Sequence, residues 1–253
     1  MIIDADTHIT PTGEGILVDE LLRTMESANV DKAITWLQPP YLRHIDELNA
    51  YVYKAMRRYP EKILGFGWAD PNIGVAKAKD SVKRCIYEYG LFGIKMNGAQ
   101  NNFFIDDPLK SIPVIEEIAK TGKPLVFHVG ADAYEQTHPF RVAKISKMYP
   151  EVPILMVHMG GASIPDLGDV AIEFAQDCPN IHLIGSAIGY KKILKAIKIL
   201  GASRVSFGSD TPFGLMHVEV AIYNALLEKE ISEEDRYNIM GGNILRILNI
   251  QSK

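Results

Sequence analysis

Cysteine is scarce. The 253 residues hold two, Cys85 and Cys178, and neither belongs to a C-x-x-C pair. Nothing in the chain therefore suggests a disulfide framework, and both thiols read as small buried groups in a reducing compartment. Runs of Lys and Arg are absent and the formal net charge is −4, so no basic footprint for nucleic acid is left. No apolar stretch approaches the roughly 20 residues that cross a bilayer, and no membrane partner is expected. The start, Met1–Ile2–Ile3–Asp4, lacks a basic segment followed by an apolar core. No secretory leader is expected there, and the expected compartment is cytoplasmic. No G-x-G-x-x-G opens a helix, which argues against a dinucleotide-binding, doubly wound sheet. Linkers and low-complexity tracts are also missing, so one domain over residues 1–253 is expected.

What is present is an alternation. Short apolar runs read as strands at Ile2–Asp6, Ala33–Trp36, Ile63–Trp68, Leu91–Met96, Pro124–His128, Pro153–His158, Ile181–Ile184 and Arg204–Phe207. Between them apolar residues keep helical spacing, as in Leu17, Leu21, Leu22, Met25 and Ala28. Gln38–Pro39–Pro40 reads as a loop that cannot be helical. Strand-then-helix units recurring at roughly 30 residues predict a parallel sheet, because each crossover needs a helix. Most of the runs lack polar alternation, as strands buried on both faces do. Eight such units predict an α/β fold, a compact (β/α)8 TIM barrel, with a closing helix around Ile244–Leu248.

The strand ends carry the chemistry. In such a barrel the functional groups sit where strands finish. Asp6 and His8 are two apart, so an extended chain points both the same way. His128 and His158 each finish an apolar run and are followed closely by glycine, Asp210 finishes the last run, and Lys95 follows Gly93–Ile94. In a closed barrel the last strand lies beside the first, which brings Asp210 to Asp6 and His8. Asp6, His8, His128 and Asp210 make two carboxylates and two imidazoles. That set fits a divalent metal: Zn²⁺ is expected first, and its oxygen share also admits Mn²⁺. Taken singly, each residue has a plainer use. Asp6 and Asp210 could cap turns, a histidine could be structural, and Lys95 could snorkel from a strand end. Candidate substrate contacts are Lys95, Asn97, Arg141 and Trp36. Lys95 and Arg141 suit an anionic group, although Arg141 could equally be a solvated helix residue.

The ordered motifs I-D-A-D-T-H (residues 3–8), G-I-K (93–95), F-H-V-G (127–130), V-H-M-G-G (157–161), F-G-S-D-T-P (207–212) and G-N-I-L-R-I-L (242–248) resemble the amidohydrolase superfamily. The likeness is to its amidohydrolase-related branch, which includes aminocarboxymuconate-semialdehyde decarboxylase-like proteins. It implies that Asp6, His8, His128 and Asp210 ligate one metal. It further implies that His158 polarises substrate or assists proton transfer, and that Asp210 doubles as general acid and base. One departure stands out: the family's first motif is H-x-H, and Asp6 replaces its first histidine. The loops after the first strands are short, so the pocket predicts a small substrate or a wall lent by a second copy in a homodimer.

Three functions follow. The leading expectation is a metal-dependent hydrolase of a small ester, lactone or amide, using metal-activated water. The alternative is a non-oxidative decarboxylase of a small aromatic or muconate-type acid, towards which Asp6 tilts. A non-catalytic binding barrel is the minor third.

Overall fold

The computed structural model describes residues 1–12, 15–38 and 44–251, so Pro39 and Pro40 of the expected loop lie outside the described residues. The chain runs β1 (Ile3–Ile9), α1 (Val18–Ser27), β2 (Lys32–Leu37), α2 (Ile45–Arg58), β3 (Ile63–Gly65), β4 (Gly67–Trp68), α3 (Val75–Lys83), β5 (Ile94–Met96), α4 (Ser111–Lys120) and β6 (Leu125–His128). It continues with α5 (Tyr134–Thr137), α6 (Pro139–Met148), β7 (Ile154–Val157), α7 (Pro165–Gln176), β8 (Ile181–Ile184), α8 (Tyr190–Leu200), β9 (Val205–Ser206), α9 (Met216–Glu230), α10 (Glu233–Tyr237) and α11 (Asn243–Leu248).

Every strand pairs in parallel with its sequence neighbour, in the orders β1-β2-β3 and β4 through β9. β3 and β4 are two halves of one stave, kinked at Phe66. The Phe66 N–H donates back to Thr35 O (2.9 Å), while Gly67 N–H donates forward to Gly93 O (2.9 Å). The seam between last and first stave closes through Ala5 N–H to Phe207 O (3.1 Å), His8 N–H to Thr211 O (2.8 Å) and a parallel bridge between Thr7 and Thr211. The fold is a (β/α)8 TIM barrel. Strands such as β7 (Ile-Leu-Met-Val) are buried along their whole length, which is why the sequence shows unbroken apolar runs. The longer helices bury one stripe each, for example Val18, Leu21 and Met25 of α1. Proline opens α6 and α7, at a position whose N–H has no helical partner anyway.

The boundaries differ from the sequence expectation at informative places. β1 does not stop at Asp6 but runs on to Ile9, with a register shift against β2 between Asp4 and Thr7. β5 is shorter than the apolar run Leu91–Met96, and at Gly93 a Cβ would lie 2.3 Å from the Phe66 ring. The fourth stave thus enters over the Phe66 kink. Among the described residues no helix is long and apolar enough to cross a membrane.

One buried amide patches the kinked stave. Asn49 of α2 donates to Trp68 O (3.0 Å) and accepts from Trp68 N–H (2.9 Å). Asn49→Ala leaves both buried backbone groups without partners, at about 1–3 kcal/mol each. The expected loss of unfolding free energy is about 2–4 kcal/mol, read as a lower urea midpoint at unchanged slope. A loss below about 1 kcal/mol would show that Trp68 finds other partners.

Candidate active site

The first segment carrying candidate donors is β1. Asp6 is fully buried. Its Oδ2 accepts a hydrogen bond from the Ser186 hydroxyl (2.5 Å), whereas Oδ1 has no hydrogen-bond partner. His8 Nδ1 lies 3.1 Å from Leu37 O, an acceptor, so Nδ1 carries the proton and Nε2 keeps its lone pair. Burial pushes the His8 imidazole down to about 3, and the nearby Lys95 charge adds to the effect. The ring is therefore neutral at ordinary pH, the state a metal ligand needs.

Nε2 of His8 lies 3.6 Å from Asp6 Oδ1 and 3.5 Å from Asp210 Oδ1. Both distances are too long for hydrogen bonds. They match two donors sharing an ion: atoms each about 2.1 Å from one metal lie roughly 3.0–3.5 Å apart. One donor atom from each of Asp6, His8 and Asp210 falls within 4.8 Å of the others. A buried carboxylate oxygen with no hydrogen-bond partner is costly; the Lys95 ammonium 3.7 Å from Asp6 Oδ1 offsets part of that cost, and a metal cation is a usual further remedy. The donor set therefore fits a divalent ion.

Asp210 reaches the group because its backbone turns into the left-handed region (φ 59°) directly after β9 and Gly208–Ser209. The same device recurs at His158 (φ 60°) and Met159 (φ 47°) after β7, and at Ala187 (φ 50°) after β8. Such backbone costs about 1–3 kcal/mol per residue and collects where side chains must be aimed. Burial pushes the Asp210 carboxyl above its usual range, against the pull of His158 and Lys95.

His128 and His158 meet edge to face. His158 Nε2 lies 3.2 Å from His128 Nδ1, and His128 Nε2 lies 3.0 Å from Asp132 Oδ1. The loops beneath them touch: a Cβ at Gly130 (φ +68°) would fall 1.7 Å from Gly160 O, so glycine is required there. Burial holds both imidazoles below their usual range.

An amidohydrolase family model matches residues 3–250. The chain belongs to the amidohydrolase family. A curated relative, 2-amino-3-carboxymuconate-6-semialdehyde decarboxylase of Dictyostelium discoideum, is 25% identical over 240 aligned residues, covering 80% of this chain. The match spans 66% of that relative's length. Among solved structures, the barrel resembles 2,6-dihydroxybenzoate decarboxylase from Rhizobium (TM-score 0.81, 19% identity, 99% of each chain). It also resembles a dihydroxybenzoic acid decarboxylase from Polaromonas, solved with manganese and 2-nitroresorcinol (TM-score 0.77, 18% identity, 100% of this chain and 98% of that one). At these identities the structural likeness establishes the fold.

In this barrel a pocket of about 270 Å³ opens above the donors, lined among others by His8, His128, His158, Asp210, Gln38, Gln100, Asp132 and Phe213. The sequence expectation brought Asp6, His8 and Asp210 together, and the barrel does so. His128 stands beside that group, its ring nitrogens facing Asp132 and His158. Lys95 does not line the pocket. It is buried beneath Asp6, its Nζ 3.7 Å from Asp6 Oδ1 and 3.7 Å above the Trp36 ring, and burial pushes its ammonium down to about 8. Trp36 also lies below the pocket and donates its indole N–H to His8 Nε2 (3.2 Å). Asn97 shapes its own loop by accepting Ala99 and Gln100 N–H (both 3.1 Å). Arg141 of α6 is turned to Asp106 (2.5 Å) and Glu135 O (2.5 Å), away from the pocket. Gln100, three residues further along the loop, lines the pocket where Asn97 does not.

Asp132, Ser186 and Phe213 were not among the expected site residues. Two of them carried a readable signal. Ile184–Gly185–Ser186 repeats the pattern of apolar run, glycine and polar residue, and Asp132 follows His128 by four. Phe213 is 61% exposed at the pocket mouth, edge-on to His8 at 5.4 Å. No sequence pattern marks it.

Proposed function

We propose that this member of the amidohydrolase family is a divalent-metal-dependent, non-oxidative decarboxylase of a small aromatic or muconate-type acid. The observation that carries the reading is Asp6. It puts a second carboxylate where the family's first motif has histidine, so two carboxylates and one imidazole face one point. Extra negative charge weakens an ion's power to acidify bound water, which hydrolysis needs. It costs less in a reaction that only requires an anionic substrate to be held. The curated relative, a decarboxylase, supports the same direction over the hydrolase expectation.

Asp6, His8 and Asp210 would hold the ion, His8 by exchanging the Trp36 indole N–H at its Nε2 for the metal. His128 would join as a fourth ligand only by exchanging Asp132 for the metal. The oxygen-rich set favours Mn²⁺ over Zn²⁺, in keeping with the manganese bound in the Polaromonas decarboxylase. When bound, the ion supplies the positive charge that draws in a carboxylate and an adjacent oxygen. The protein supplies the rest. Asp210 and His158 line the pocket, and either would hand a proton to the carbon that bears the carboxylate. That carbon gains the proton, its bond to the carboxylate carbon breaks, and the electron pair returns to the ring as CO₂ departs. The exchange consumes one proton and needs no oxidant or reductant. Phe213 offers an apolar wall for a flat ring.

The test is a panel of hydroxybenzoates, muconate-type acids, esters, lactones and amides, with Mn²⁺ or Zn²⁺ added and both CO₂ and acid release recorded. CO₂ release from at least one aromatic or muconate-type acid is expected, with kcat on the order of 1–10 s⁻¹. Ester, lactone or amide cleavage without any CO₂ would return the chain to the hydrolase reading.

A further inference from the structure

Asp4 is a carboxylate that neither joins the ion-binding group nor lines the pocket, yet it is completely buried. Among the described residues it forms no ion pair with a Lys, Arg or His within 4.0 Å. Its Oδ1 does a specific job. The register of β1 against β2 slips between Asp4 and Thr7, so the Asp6 amide has no ladder partner there. Instead, Asp6 N–H donates to Asp4 Oδ1 (3.0 Å). The same oxygen accepts Ser209 N–H (2.9 Å), from the residue directly before Asp210. One carboxylate oxygen thus fastens the backbone under Asp6 to the backbone under Asp210, across the seam where the last stave meets the first. The two segments are 205 residues apart in the chain. The seam's backbone bonds fall on either side, at Ala5–Phe207 and His8–Thr211. Asp4 spans the gap between them at the level of the donors.

We infer that Asp4 is a positioning residue for the ion-binding group: by holding both amides it sets the spacing of the Asp6 and Asp210 carboxylates, and hence the affinity of the site for a divalent ion. This rests on the proposed reading that Asp6, His8 and Asp210 hold such an ion. An amide oxygen can do the same work as a carboxylate oxygen, because each accepts two N–H donors. A methyl group cannot. Without the acceptor both buried amides must find new partners, and the segments carrying Asp6 and Asp210 shift to do so.

The experiment compares wild type, Asp4→Asn and Asp4→Ala, each stripped of metal and titrated with Mn²⁺ alone. Free Mn²⁺ is followed by electron paramagnetic resonance and folding by circular dichroism. Asp4→Ala is expected to weaken Mn²⁺ binding by about 10–100-fold, the range found when groups supporting metal ligands are removed. Asp4→Asn is expected to stay within about threefold of wild type, since it keeps the acceptor. A merely structural role would lower the melting temperature of Asp4→Ala without changing the Mn²⁺ affinity of the folded protein, and that result overturns the inference. So does Asp4→Asn binding as weakly as Asp4→Ala, because charge would then be what matters. Asp4→Ser replaces Asp4→Ala should the latter not fold. If neither folds while Asp4→Asn does, Asp4 belongs to the fold and the positioning role is lost. Wild type that binds neither Mn²⁺ nor Zn²⁺ sinks the ion-binding reading itself, and the inference with it.

Discussion

Asp210→Asn is expected to lower kcat by roughly 10²–10⁴-fold while leaving a folded barrel, the loss typical of removing a positioned proton carrier. Aspartate and asparagine have nearly the same shape, and the backbone of the turn is held by other bonds. Phe213 N–H and Gly214 N–H both donate to Asp210 O, at 2.7 and 2.9 Å. What changes is chemistry alone. The amide cannot carry a proton to carbon, and it is a poorer donor atom beside His8 Nε2. These two losses separate in the measurement. Single-turnover CO₂ release at saturating Mn²⁺ reads the proton role, and metal content after gel filtration reads the ligand role. A variant that turns over at the wild-type rate would remove Asp210 from the mechanism. Because Asp210 takes part in both the hydrolytic and the decarboxylating reading, this experiment tests the site and not the reaction class.

Removing the ion should have the other large effect. Dialysis against a chelator is expected to abolish turnover, and Mn²⁺ is expected to restore it. Stability should move in parallel. A ligand that binds only the folded state adds about 2.7 kcal/mol when present at about 100 times its dissociation constant. For a chain of this size that corresponds to a rise in Tm of roughly 5–10 °C. The structural reason lies in Asp6 and Asp210, two carboxylates converging on one point with Lys95 as the nearby ammonium. His8→Ala should remove most of the Mn²⁺-dependent rise in Tm, by more than the 10–100-fold affinity loss typical of supporting residues. Full activity in a chelated, metal-free preparation would end the metal-dependent reading.

Much of the architecture is legible in the sequence. The apolar runs without alternation announced strands covered on both faces, and their regular recurrence announced a barrel. Closure then made Asp210 a neighbour of Asp6 and His8, and the 3.5 Å between His8 and Asp210 bears this out. Where the expectation and the structure part, the cause is side-chain direction. Arg141 was a fair candidate for an anion until α6 turned it towards Asp106. Asn97 sits in the right loop but spends its oxygen on two amides of that loop. Lys95 stands at the right strand end, yet the pleat sends it under Asp6 against Trp36.

Residue type and period, properties of the linear chain, determined which segments become staves and which end in ligand-type residues, because burial pattern and turn chemistry act locally. Which of those residues face one another was decided only in three dimensions. The register slip in β1, the left-handed turns at His158, Ala187 and Asp210, and the glycine contact between the loops after β6 and β7 each rotate a side chain by an amount no periodicity encodes. Those rotations depend on packing between segments up to 205 residues apart, as the bond from Ser209 to Asp4 shows.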